Sequence, residues 1–129
     1  MTINSISVRH AFAQEAFGEV VSSPICFNIR NEADYSVFGR VMSNYFVRAD
    51  GVKTRHRSTF RLSPGAWREV CTTGPFFEGR QVELVLQTLV PIFDCKTAIT
   101  GDIIIRGERT SDGTTKTWAE CIHSDPYTQ

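Results

Sequence analysis

Residues 35–62 read YSVFGRVMSNYFVRADGVKTRHRSTFRL. Two runs rich in Val, Tyr, Phe and Thr flank Asp50-Gly51, the composition of two strands joined by a tight turn. Asp-Gly is the preferred filling of a two-residue type I′ turn, because both central residues take positive φ. With that turn Ala49 faces Val52, Arg48 faces Lys53, and opposed residues share a face. One face then collects Val37, Val41, Tyr45 and Val47 with Thr54, His56, Phe60 and Leu62. The other collects Arg40, Met42, Asn44, Phe46 and Arg48 with Lys53, Arg55, Arg57, Thr59 and Arg61. The first reads as a core face and the second as a solvent face. A slip of one residue sets Tyr45 beside Arg55 and Val47 beside Lys53, mixing apolar with charged positions. The two-residue turn is therefore the expected register.

The same grammar continues along the chain. Strand-like runs at 24–30, 66–72, 80–90, 100–106 and 114–122 are punctuated by Ser63-Pro64-Gly65, the loop 74–79, Pro91 and Ser111-Asp112-Gly113. No helix-length 3.6-residue period follows residue 20. About seven strands at this spacing predict an all-β antiparallel β-sandwich, immunoglobulin-like or jelly-roll-like, with a small β-barrel as the alternative. The 129 residues amount to one domain. The sandwich is assigned to 24–129, and 1–23 is read as an extension. Within it, Ala11-Phe12-Ala13 has the small-x-small look of a signal-peptidase site, but no apolar stretch precedes it, so no complete signal peptide is present. The extension is read as a short strand or helical turn packing Phe12 and Phe17, or as the remnant of an export signal.

Four cysteines, Cys26, Cys71, Cys95 and Cys121, are separated by 45, 24 and 26 residues. The close pairs that zinc modules and thioredoxin-type redox sites use are missing, and no metal or cofactor is expected. Well-spaced cysteines beside strand-like runs suit two disulfides, of three possible connectivities. We expect Cys71–Cys95 and Cys26–Cys121. Bridged cysteines belong to an oxidising compartment, so a periplasmic or secreted protein is expected.

Lys plus Arg is 14 and Asp plus Glu is 14, a net charge of zero. The cancellation is not local. Residues 40–80 hold eight Lys/Arg and three Asp/Glu, a balance of +5. In the expected register Arg40, Arg48, Lys53, Arg55, Arg57 and Arg61 share one face with Phe46. Arg40–Arg61 and Arg48–Lys53 are opposed like charges, which destabilise a sheet unless an anion intervenes. Arginine's planar fork suits carboxylate, sulfate or phosphate. The face is a candidate for a protein, glycan or lipid partner of negative charge. The plainer alternative is neutralisation by Glu69, Glu83 or Glu120. Nucleic acid is not expected, since the net charge is zero and no helix-turn-helix or RNP-type motif is present. Phe76 and Phe77, adjacent on the loop 74–79, form a second candidate contact; otherwise they cover the end of the core.

Enzyme signatures are sparse. GxSxG, HExxH, P-loop and GxGxxG patterns are absent. His56 falls on the expected core face beside Tyr45, and His123 follows Cys121 by two residues. An enzyme built on His56 or on a Cys–His pair is one alternative function. Asp94 with Glu83, or Asp102 with Glu120, are candidate carboxylate pairs. A structural subunit of a larger assembly is another alternative. The leading expectation is a small extracytoplasmic binding module, stabilised by disulfides, whose contact region is the Arg-rich face or the loop 74–79.

Overall fold

The computed structural model describes residues 15–99 and 101–121. No helix occurs among them. A two-residue strand, β1 (Glu15–Ala16), precedes eight longer ones: β2 (Ile25–Asn31), β3 (Val37–Val47), β4 (Lys53–Leu62), β5 (Trp67–Thr72), β6 (Gln81–Gln87), β7 (Pro91–Ala98), β8 (Ile103–Arg109) and β9 (Thr115–Glu120). They form two packed sheets, a sandwich and not a closed barrel. One sheet runs β4-β3-β6-β7, with β1 paired to the end of β3. The other runs β5-β2-β8-β9. All pairings are antiparallel except β2 with β8, which is parallel.

The core lies between the sheets. Phe27, Ile29, Ile103 and Ile105 from one sheet meet Val37, Val41, Phe60, Leu62, Val82, Leu84 and Leu86 from the other. Each fully buried side chain of this size contributes roughly 1.5–3 kcal/mol. Asn31 is fully buried among them. Its amide donates to the carbonyls of Tyr35 and Leu62, and its Oδ1 accepts the Ala33 N–H. The end of β2 is thus bonded to the end of β4, which no hydrophobic pattern announces.

Three sequence expectations are corrected. Residues 91–98 form strand β7, because proline at the first position of a strand loses no ladder bond. The disulfides are Cys26–Cys71 and Cys95–Cys121, not Cys71–Cys95 and Cys26–Cys121. Cys26 lies directly opposite Cys71 in the β2–β5 pair, whereas β5 and β7 belong to different sheets. Cys121 follows β9, which β8 separates from β2, and it bridges instead to β7 across the sandwich.

The third correction is the hairpin register. Arg48 and Val52 bracket a three-residue loop: the Gly51 N–H donates to the Arg48 carbonyl and the Arg48 N–H to that of Val52. Gly51 has φ of 86°, the left-handed residue that follows a type I turn in such loops. The β8–β9 hairpin repeats this geometry with Gly113 at φ 89°. In both, the aspartate Oδ1 before the glycine accepts the N–H of the residue after it. Tyr45 therefore pairs with Arg55 and Val47 with Lys53. A bulge between Met42 and Tyr45 then shifts the register once more, so that Val37 pairs with Leu62. Arg40 opposes Thr59, and Arg61 opposes Phe38. Neither expected like-charge pair forms.

Candidate binding face

The bulge in β3 organises the outer face of its sheet. Ser43 and Asn44 hold it with their own side chains. The Ser43 hydroxyl accepts the His56 N–H, and Asn44 Oδ1 accepts the Tyr45 N–H. The extra residue reverses the alternation of everything after it. Phe46 turns inward, is buried, and lies 4.6 Å from the His56 ring. It is therefore not part of the basic face, contrary to expectation. Tyr45 turns outward, where the Lys53 ammonium and Arg55 guanidinium lie 4.7 and 4.5 Å from its ring centroid. Cation–π attraction makes this mixed pairing favourable, which a strict separation of apolar from charged positions overlooks.

Arg55 is the anchored member of the face. Its Nε donates to the Ser43 carbonyl at 2.9 Å, Nη1 to the Tyr45 hydroxyl at 3.2 Å and Nη2 to Glu83 at 2.9 Å. Of the three expected neutralising carboxylates, only Glu83 is on this sheet. Glu69 lies on β5, and Glu120 on β9 pairs with Arg106. Arg40 bonds Gln87 across the sheet. Arg48 is tied to Asp50 of its own turn. Lys53, Arg57 and Arg61 are exposed, and none has a carboxylate partner among the described residues. Lys53 also lies over Phe17 and Arg61 over Phe38.

Between these cations the face sinks into a shallow hollow of about 500 Å³, lined by Arg40, Tyr45, Arg55, Arg57, Glu83 and Asp94 among others. Glu83 and Asp94 line this hollow together from the adjacent strands β6 and β7. Burial, then the neighbouring Glu83 carboxylate, raise the Asp94 carboxyl above its ordinary value. Burial pushes Glu83 upward too, but the neighbouring Asp94 carboxyl, the bond from Arg55 and the nearby Lys96 hold it low. This pair comes together as the sequence suggested. Asp102 and Glu120 do not: Asp102 is held by Arg30 and Asn28, and Glu120 by Arg106. Tyr45, Phe38 and Lys96 complete the face and were not singled out from sequence. The tyrosine was hidden by the register, and Lys96 by the unassigned β7.

The loop 74–79 is not an exposed aromatic contact. Phe76 is 1% exposed and belongs to the core. Its N–H donates to the Glu19 carbonyl, and the Asn44 N–H takes the Pro75 carbonyl. Those bonds pin the loop over the sandwich end. Phe77 is half-buried beneath Arg55 and Lys96. His56 is exposed instead of packed in the core. With every described cysteine bridged, a Cys–His pair has no thiolate to use. His123, like Phe12, lies outside the described residues. The Cys26, Glu69 and Cys71 cluster has metal-ligating atoms close together, but both of its sulfurs are spent in a disulfide. No known protein-family model matches this chain, and no curated protein is significantly similar to it.

Proposed function

We propose that this chain is a small extracytoplasmic binding module that engages an anionic partner through the outer face of β3 and β4. One observation carries the reading: Lys53, Arg57 and Arg61 stand in line on one strand, exposed and without carboxylate partners among the described residues. Arg55 and Tyr45 form the fixed floor between them. Side chains four apart on a strand are about 13 Å apart, so the face suits an extended polyanion better than a single small anion. The two disulfides support the compartment.

Retention on heparin or phosphocellulose at low salt tests the proposal. Wild type is expected to bind and to elute at raised ionic strength, and Arg57→Glu with Arg61→Glu to pass through. Arg55 is left intact because it is bonded into the fold. A wild-type chain that is not retained ends this reading.

A second reading, a subunit of a larger assembly, rests on a different observation. Leu89, Val90 and Ile92 at the β6–β7 turn are 100, 63 and 47% exposed. A strict monomer by light scattering at high concentration removes it.

A further inference from the structure

The basic face borders an open strand edge, and together they specify a narrower partner. Among the described residues β4 pairs with β3 alone. Backbone groups of successive strand residues point to opposite sides. The Val52 carbonyl bonds Arg48, so even-numbered residues of this strand turn toward β3 and odd-numbered ones turn away. Thr59 agrees: its carbonyl accepts Arg68 Nη1 at 2.7 Å from outside the pair. The extra residue of the bulge is on β3, so this alternation runs unbroken along β4.

Lys53, Arg55, Arg57, Thr59 and Arg61 are those odd-numbered residues. They present their side chains on the outer face and their backbone groups along an edge that no second described strand covers, where the Arg68 side chain occupies the Thr59 carbonyl. A second copy of β4 on this edge sets cation against cation, which opposes self-pairing. An acidic strand reverses the sign of every such contact.

We propose that the free edge of β4 accepts an extended acidic polypeptide segment of a partner protein, which adds a strand to the sheet. Its alternate Asp or Glu side chains lie over Lys53, Arg57 and Arg61, while its backbone bonds the β4 edge. This rests on the anionic-partner reading above and narrows the anion to a polypeptide. Lys53 to Arg61 spans about 26 Å, the reach of about eight extended residues. A sulfated glycan or lipid headgroup supplies the charge but has no peptide N–H to give the edge.

The test uses the full chain and a labelled peptide of about ten residues alternating Glu and Thr, read by fluorescence anisotropy at low salt. Two further peptides carry N-methyl groups on all glutamates or on all threonines, which removes backbone donors from one edge and leaves the charge. The peptide is expected to bind. Methylating one alternating set is expected to weaken binding at least about tenfold, and methylating the other to leave it nearly unchanged, since only one edge faces β4. Equal binding of all three peptides overturns strand addition while leaving the anion face standing. Heparin binding without peptide binding assigns the face to a polysaccharide and overturns it as well. If neither heparin nor peptide binds, both readings fall.

Discussion

Arg55 and Glu83, 28 residues apart, form an ion pair at 2.9 Å with side chains only 9 and 18% exposed. It crosses from β4 over β3 to β6. The same guanidinium closes the β3 bulge through the Ser43 carbonyl. The pair therefore belongs to the fold, and the unpaired cations around it belong to the surface.

Removing Arg55 takes away the cation hydrogen-bonded to Glu83 in a poorly solvated place and leaves it only the Coulomb attraction of Lys96. Arg55→Ala is expected to cost about 3 kcal/mol, the scale of breaking a buried pair from one side. Arg57→Ala, on the exposed side, is expected to change stability by less than about 0.5 kcal/mol. Urea unfolding of the two variants measures the contrast. Equal losses would mean that Arg55 is no more structural than its neighbour.

Stability depends on pH through Glu83 and Asp94 in opposite senses. Asp94 titrates higher in the folded chain. Its contribution is complete below the unfolded value near 3.8 and is lost as pH rises through the folded one. Glu83 titrates lower in the folded chain, so its contribution is complete above 4.5 and is lost as pH falls through the folded value. Asp94→Asn keeps a donor beside Glu83 and removes one titration. The variant is expected to be more stable than wild type at neutral pH, with the gap closing in acid. A gap that stays constant across urea midpoints at both pH values would refute this assignment.

The disulfide pairing makes a prediction for mass spectrometry. Non-reducing tryptic digestion should link peptide 10–30 to 69–80 and peptide 81–96 to 117–129. Chain entropy for closures of 45 and 26 residues gives about 3–4 kcal/mol for each bridge. Replacing either pair with serine should lower the unfolding midpoint accordingly. A peptide linking Cys71 to Cys95 would contradict the strand order itself.

Gly39 sits where β3 and β6 approach. A Cβ there falls 2.4 Å from the Val85 carbonyl oxygen and 2.7 Å from the Phe60 ring. Because backbone must move, Gly39→Ala is expected to cost about 2 kcal/mol. Gly101→Ala meets open space and serves as the control. Thermal melts of the two variants should separate clearly.

Strand content, the sandwich architecture and the presence of two bridges were legible from residue order, because each has a local cause. Alternating apolar residues, Gly-rich turns and spaced cysteines act within a few positions. The hairpin shows how far that goes. Reading Asp50-Gly51 as a two-residue turn misses by one residue, and the bulge at Ser43 and Asn44 adds another. Because side chains alternate with period two, the errors cancel beyond the bulge. Val37, Val41, Phe60 and Leu62 face the core as expected, while Tyr45, Phe46 and Val47 between the two irregularities are inverted. The basic face survives on β4, since the extra residue is not on that strand. Tertiary structure alone decided which cations remain free. That outcome depends on Glu83 arriving from β6, on Tyr45 turning outward beneath Lys53 and Arg55, and on β4 lying at an edge. The cysteine pairing is of the same kind: a bridge needs two sulfurs within bonding distance, and distance is set by strand order, which spacing along the chain does not encode.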